Sequence, residues 1–196
     1  MDVASSAPPA ASSPRKGATA RATRPDAGKR GKSNTPLRLT PSQSLTRVRE
    51  RLQWYADRGV FRRFSELGPL GDRYRFRFSW LGTAPLALDY SPENGTFTFR
   101  SLLPHVPARS ALFEEIQTFV VGRGSPRLPP HRRVDRRRAR IRCLPARGTV
   151  SVELVATRNH HEYGVNRVVN LVHEVFLYLH EYQPEYMWAH LDSPEE

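Results

Sequence analysis

From Arg73 to Trp80 the chain alternates without a break: Arg73, Arg75, Arg77 and Ser79 interleave with Tyr74, Phe76, Phe78 and Trp80. A repeat of two belongs to a β-strand, whose successive side chains point to opposite faces. One face of this segment is aromatic and must be buried, and the other is basic and must meet water. Such a strand fits only a sheet covered on one side. That excludes an all-helical fold and a parallel sheet buried on both faces.

The segments that follow extend the pattern. Leu86, Leu88 and Tyr90 alternate around Ala87 and Asp89. A turn at 91–95 leads into Thr96, Phe97, Thr98 and Phe99, and Asn94-Gly95 is expected to supply the positive φ values of a tight hairpin. A fourth strand is expected at 138–143, with Arg138, Arg140 and Arg142 opposite Ala139, Ile141 and Cys143. After a turn at 145–148, a fifth turns Val150, Val152, Leu154 and Ala156 inward. Three helices accompany the strands. Thr40-Pro41-Ser42-Gln43 is a start signal, with a capping hydroxyl, proline at the first helical position and glutamine three residues after the cap. Leu45, Val48, Leu52 and Tyr55 then make the apolar stripe of a helix ending near Gly59, with Phe61 and Phe64 packing its exit. A second helix is expected over 108–121 and a third over 162–182, before a short final turn opened by Pro184. The predicted order is α-β-β-β-α-β-β-α, an α+β two-layer sandwich with an antiparallel sheet and helices on one face.

Charge is segregated along the chain. Residues 1–39 are rich in Ala, Ser, Pro and Arg, bury almost nothing and are expected to be a disordered basic tail in front of a single domain over 40–196. Ten arginines stand against one acid, Asp135, over 123–147, most of them in an Arg-rich loop at 123–138. Residues 148–196 carry two arginines and eight acids. Among the 31 basic residues only three are lysine. Arginine is the better fork for carboxylate and phosphate, although a GC-rich codon habit gives the same excess. The candidate binding residues are therefore Arg132, Arg133, Arg136, Arg137 and Arg138 of the loop, with Arg73, Arg75, Arg77, Arg140 and Arg142 if the two arginine-bearing strands lie near each other. Tyr182, Tyr186, Met187 and Trp188 form an apolar C-terminal cluster that caps the core or presents an interface.

The element order over roughly 40–182, with the segment Val165-Asn166-Arg167-Val168-Val169-Asn170-Leu171-Val172-His173-Glu174-Val175-Phe176-Leu177 as its last helix, resembles the small fold shared by type III secretion chaperones and YbjN-like proteins. The resemblance implies a homodimer that binds another protein and has no catalytic residues.

No chemical motif displaces that expectation. His173-Glu174 and His180-Glu181 repeat at seven residues, about 10 Å along a helix axis, too far to share one ion unaided. No metal or cofactor is expected. The lone Cys143 lies on the inward face of a strand, where a buried inert thiol is expected. Gly122-Arg123-Gly124 lacks the Lys-Ser/Thr ending of a phosphate loop. Asn166 and Asn170 are expected to hydrogen-bond a sheet edge or a neighbouring helix. No apolar run reaches the length of a membrane span. The expectation is a cytoplasmic, non-enzymatic interaction module, chaperone- or adaptor-like, that selects an acidic protein partner. The alternative is a nucleic-acid-associated protein that meets phosphates through the Arg-rich loop and tail.

Overall fold

The computed structural model describes residues 38–80 and 85–191. The expected disordered tail falls almost wholly outside them. Helix α1 spans Pro41–Asp57, α2 Ala111–Gly122, α3 His161–Tyr182 and a short α4 Pro184–His190. The strands are β1 Arg62–Leu70, β2 Arg73–Ser79, β3 Pro85–Ser91, β4 Thr96–Leu103, β5 Ala139–Ala146 and β6 Thr149–Ala156. They form one six-stranded antiparallel sheet in the order β1-β2-β3-β4-β6-β5. The fold is α+β, a helical layer on a one-sided sheet.

The start of α1 follows its sequence signal. Thr40 Oγ1 accepts the Gln43 N–H at 3.2 Å and Gln43 Oε1 accepts the Thr40 N–H at 3.0 Å, a closed capping box. Helix α2 begins three residues later than expected. Ser110 caps it by accepting the Phe113 N–H, which leaves Ala108 and Arg109 in the preceding turn.

The core lies between the inner sheet face and the helices. Tyr74 opposes Tyr90, Tyr90 opposes Phe97, Phe97 opposes Leu154 and Leu154 opposes Ile141, one continuous row across five strands. A second row runs Phe76, Leu88, Phe99, Val152 and Cys143. Val48, Leu52, Ile116, Val120, Val168, Val172, Val175 and Leu179 of the helices are fully buried against them. Helix α3 comes especially close at Gly164, where a Cβ would sit 2.5 Å from the Phe97 ring and 2.9 Å from Ala156 Cβ.

Three expectations need correction. The sheet has six strands rather than five, because Arg62–Leu70 precedes the Arg73 strand as an added edge. It joins β2 through Gly71-Asp72, with Gly71 at φ 65°, the glycine-first pattern of a two-residue hairpin. The connection from β3 to β4 is a four-residue loop, and only Gly95 in its Asn-Gly pair has positive φ. Asn94 instead accepts the Thr96 N–H through Oδ1. Finally, β2 and β5 do not lie near each other. Three strands separate them, so their arginines are about 19 Å apart across the sheet.

Candidate functional site

Among the described residues no helix lies over the outer face of the sheet, and its chemistry is set by register. Arg75 opposes Asp89, Asp89 opposes Thr98, Thr98 opposes Glu153 and Glu153 opposes Arg142. Directly opposed residues share a face, so these five form one polar row from β2 to β5. A neighbouring row holds Ser91, Thr96, Val155 and Arg140. Arg73 and Arg77 project from β2 on the same face, and Arg100 from β4. Strands β2 to β6 thus present Arg73, Arg75, Arg77, Arg100, Arg140 and Arg142 against two acids, Asp89 and Glu153.

Asp89 is the fixed point of that face. It is 1 % exposed, and both its oxygens are engaged. Arg75 donates to them from Nε at 2.6 Å and Nη2 at 2.9 Å, and Arg100 donates from Nε at 2.6 Å. Burial by itself pushes the carboxyl pKa up, but the two guanidiniums outweigh it and hold the group below the ordinary carboxylate value. Arg142 pairs with Glu153, and Arg73 stands 3.6 Å from Asp72 in the hairpin turn. Arg77 and Arg140, both exposed, form no ion pair among the described residues.

The Arg-rich segment between α2 and β5 is built into the molecule. Arg123 donates to Glu174 of α3 at 2.8 Å, and Arg132 reaches the same carboxylate at 3.4 Å. Arg167 of α3 donates to the carbonyls of Pro130 and His131, and the Asp135 N–H donates to Tyr163 Oη at 2.7 Å. Val134 is buried at 3 % exposure. Arg133 donates to the Pro126 carbonyl. Arg138 does not join the open face. It precedes β5, and its guanidinium stacks 4.1 Å from the Tyr163 ring centroid in the helical layer. Arg136 and Arg137 are exposed.

The sequence candidates therefore divide. Arg73, Arg75, Arg77, Arg140 and Arg142 share the open face at its two sides. Arg132, Arg133 and Arg138 contact their own chain on the helical side. Reading by residue type missed Arg100, Asp89, Glu153 and Glu174, the four groups that decide which arginines are engaged. Arg100 was within reach, because the alternation of Thr96 to Phe99 continued by one residue puts it on the basic face.

The C-terminal cluster divides too. Met187 is 3 % exposed in the core, and Tyr186 donates its hydroxyl to the Pro104 carbonyl at 2.7 Å. Tyr182 and Trp188 are 57 % and 66 % exposed. Asn166 accepts from Arg51 at 2.5 Å and from the Tyr55 hydroxyl at 3.1 Å, so its partner is α1. His173 lies parallel to Trp80, with ring centroids 6.2 Å apart. Cys143 is buried, and burial pushes its thiol up to about 11. Among the described residues no group of three His, Cys, Asp or Glu side chains is arranged to hold a metal, and no helix is long and apolar enough to cross a membrane. No protein-family model, curated protein or solved structure matches this chain.

Proposed function

We propose that this chain is a non-catalytic binding module whose open sheet face engages an acidic polypeptide. The observation that carries the reading is the composition of that face: six arginines against two acids, with no helix over it among the described residues. Two of the six have no ionic partner among the described residues, so a carboxylate arriving from outside meets uncommitted charge. A polypeptide suits the face better than a nucleic acid does. The aromatic rings of β2, β3 and β4 are turned into the core, which leaves no stacking platform for bases. Asp89 and Glu153 also interrupt any continuous track for phosphates.

The chaperone-like resemblance belongs to this reading, with β1 as an added edge on the expected element order. So do a cytoplasmic setting, in which the single buried thiol stays reduced, and self-association as a homodimer. Leu177, Tyr182 and Trp188 are exposed at the C-terminal end of the helical layer, and sedimentation velocity over a concentration series decides between monomer and dimer.

The direct test is fluorescence anisotropy on the full chain with a labelled oligoglutamate and a single-stranded DNA of equal charge, over a salt series. Arg73→Ser/Arg77→Ser leaves the Asp89 cluster intact. It is expected to weaken glutamate binding several-fold. DNA binding that is tighter at matched salt, and equally sensitive to the double change, would replace this reading with the phosphate-binding one.

A further inference from the structure

Where the C-terminal end of α2 and the Arg-rich segment meet β5, the surface opens into a cleft of about 410 Å³. Val134 and Ala139, 3 % and 0 % exposed, lie at its base, with Ile141 beside them. Val121 forms a wall and is 49 % exposed, although the other valine at that end of α2, Val120, is fully buried. Arg136 and Arg140 complete the lining. Neither forms an ion pair among the described residues, whereas Arg123, Arg132 and Arg142 around them are each held by a glutamate. Arg136 lies close across Gly124, where a Cβ would meet its Nε at 3.0 Å and its Nη2 at 3.5 Å. A larger residue at 124 would press the guanidinium away from the cleft base.

An apolar base with the uncommitted Arg136 guanidinium at its edge suits a ligand that is apolar at one point and anionic next to it. The volume lies within the range of about 300–1,000 Å³ typical of ligand pockets and is ample for a leucine side chain. Resting on the acidic-partner reading above, we propose that this cleft is its specificity pocket. It receives one apolar side chain of the acidic polypeptide, Arg136 holds an adjacent carboxylate, and Arg140 on the open face of β5 meets the next one. The open face would then supply attraction, and the cleft would choose among acidic sequences.

Two labelled peptides test this on the full chain: a run of glutamates with one central leucine, and the same run with serine in its place. The leucine peptide is expected to bind on the order of tenfold more tightly, the value of burying one such side chain. Val121→Trp fills the cleft from its exposed wall and should abolish that preference while leaving the serine peptide unchanged. Val121→Glu, which sets an anion against Arg136 without adding bulk, should abolish the preference and weaken both peptides. Equal binding of the two peptides, or a preference that survives both changes, overturns the pocket and leaves the sheet-face reading standing. Failure of both peptides to bind overturns the sheet-face reading and the pocket with it.

Discussion

Asp89 sits beneath two guanidiniums and is 1 % exposed, so its charge is a structural element of the open face. Asp89→Asn keeps the shape and removes the charge. Arg75 and Arg100, 31 % and 50 % exposed in their side chains, then turn to water, so the expected loss is about 2 kcal/mol in urea unfolding at neutral pH. The pH dependence follows from a folded pKa held below 3.8. Stability contributed by Asp89 is complete above the unfolded value and disappears as pH falls through the folded one, so the gap between wild type and variant closes in acid. His161 acts in a different pH range. It is 5 % exposed, and its Nδ1 lies 2.8 Å from the buried Tyr90 hydroxyl. Burial lowers its pKa below 6.5 against a backbone hydrogen bond to Arg158 that raises it, and Arg38 and His160 nearby add to the lowering. The unfolded chain therefore takes up the proton first, and stability falls as pH drops below 6.5. Thermal unfolding at about pH 7.5 and about pH 5.5 should show a flatter pH response in His161→Gln than in wild type.

At the scale of elements, contact between α3 and the sheet depends on an absent side chain. Helix propensity alone favours Gly164→Ala by about 1 kcal/mol. The added Cβ, however, meets the fully buried Phe97 at 2.5 Å and Ala156 at 2.9 Å, and overpacking of that kind costs about 1–3 kcal/mol. A net loss of about 1 kcal/mol is expected in urea unfolding. Gly122→Ala, with nothing within 4 Å of the new Cβ, should be neutral or stabilising. The elements readable in advance are those with a partner on one side only. Strand β2 shows its period because one face is core and the other is water, and α1 shows its cap because both box residues lie within four positions. Strand β1 has neither signal. It is an edge strand exposed over most of its length, it holds Gly68 and Pro69, and its pairing shifts register twice, so no alternation survives in RRFSELGPL. Gly71-Asp72 was its one local mark. The site was legible to the same degree. Alternation placed Arg73, Arg75 and Arg77 on an open face, but strand order, which separates them from Arg140 and Arg142, depends on long-range pairing that no local pattern records. Glu174, on α3 and far from the Arg-rich segment in sequence, is engaged with that segment for the same reason.

For the whole molecule, net charge is +12, and the open face, with six arginines against two acids, holds about a third of it. Like charges on one surface repel, and salt relieves them. Between about 20 mM and about 300 mM salt the screening length falls from roughly 20 Å to roughly 6 Å, shorter than the spacing of β2 from β5. The melting temperature should rise by about 2–4 °C over that range, and by less in Arg73→Ser/Arg77→Ser; a fall would show that the ion pairs outweigh the repulsion. The two rims of the sheet differ in a way that bears on assembly at high concentration. Register breaks next to Arg63 at φ 52° and Gly68 at φ 85° disrupt the β1 rim, whereas β5 pairs with β6 without interruption. A fibre grows only when each added subunit offers a fresh rim for the next. The β1 rim has no regular ladder to offer, so a fibre of this sheet has no matching template on that side.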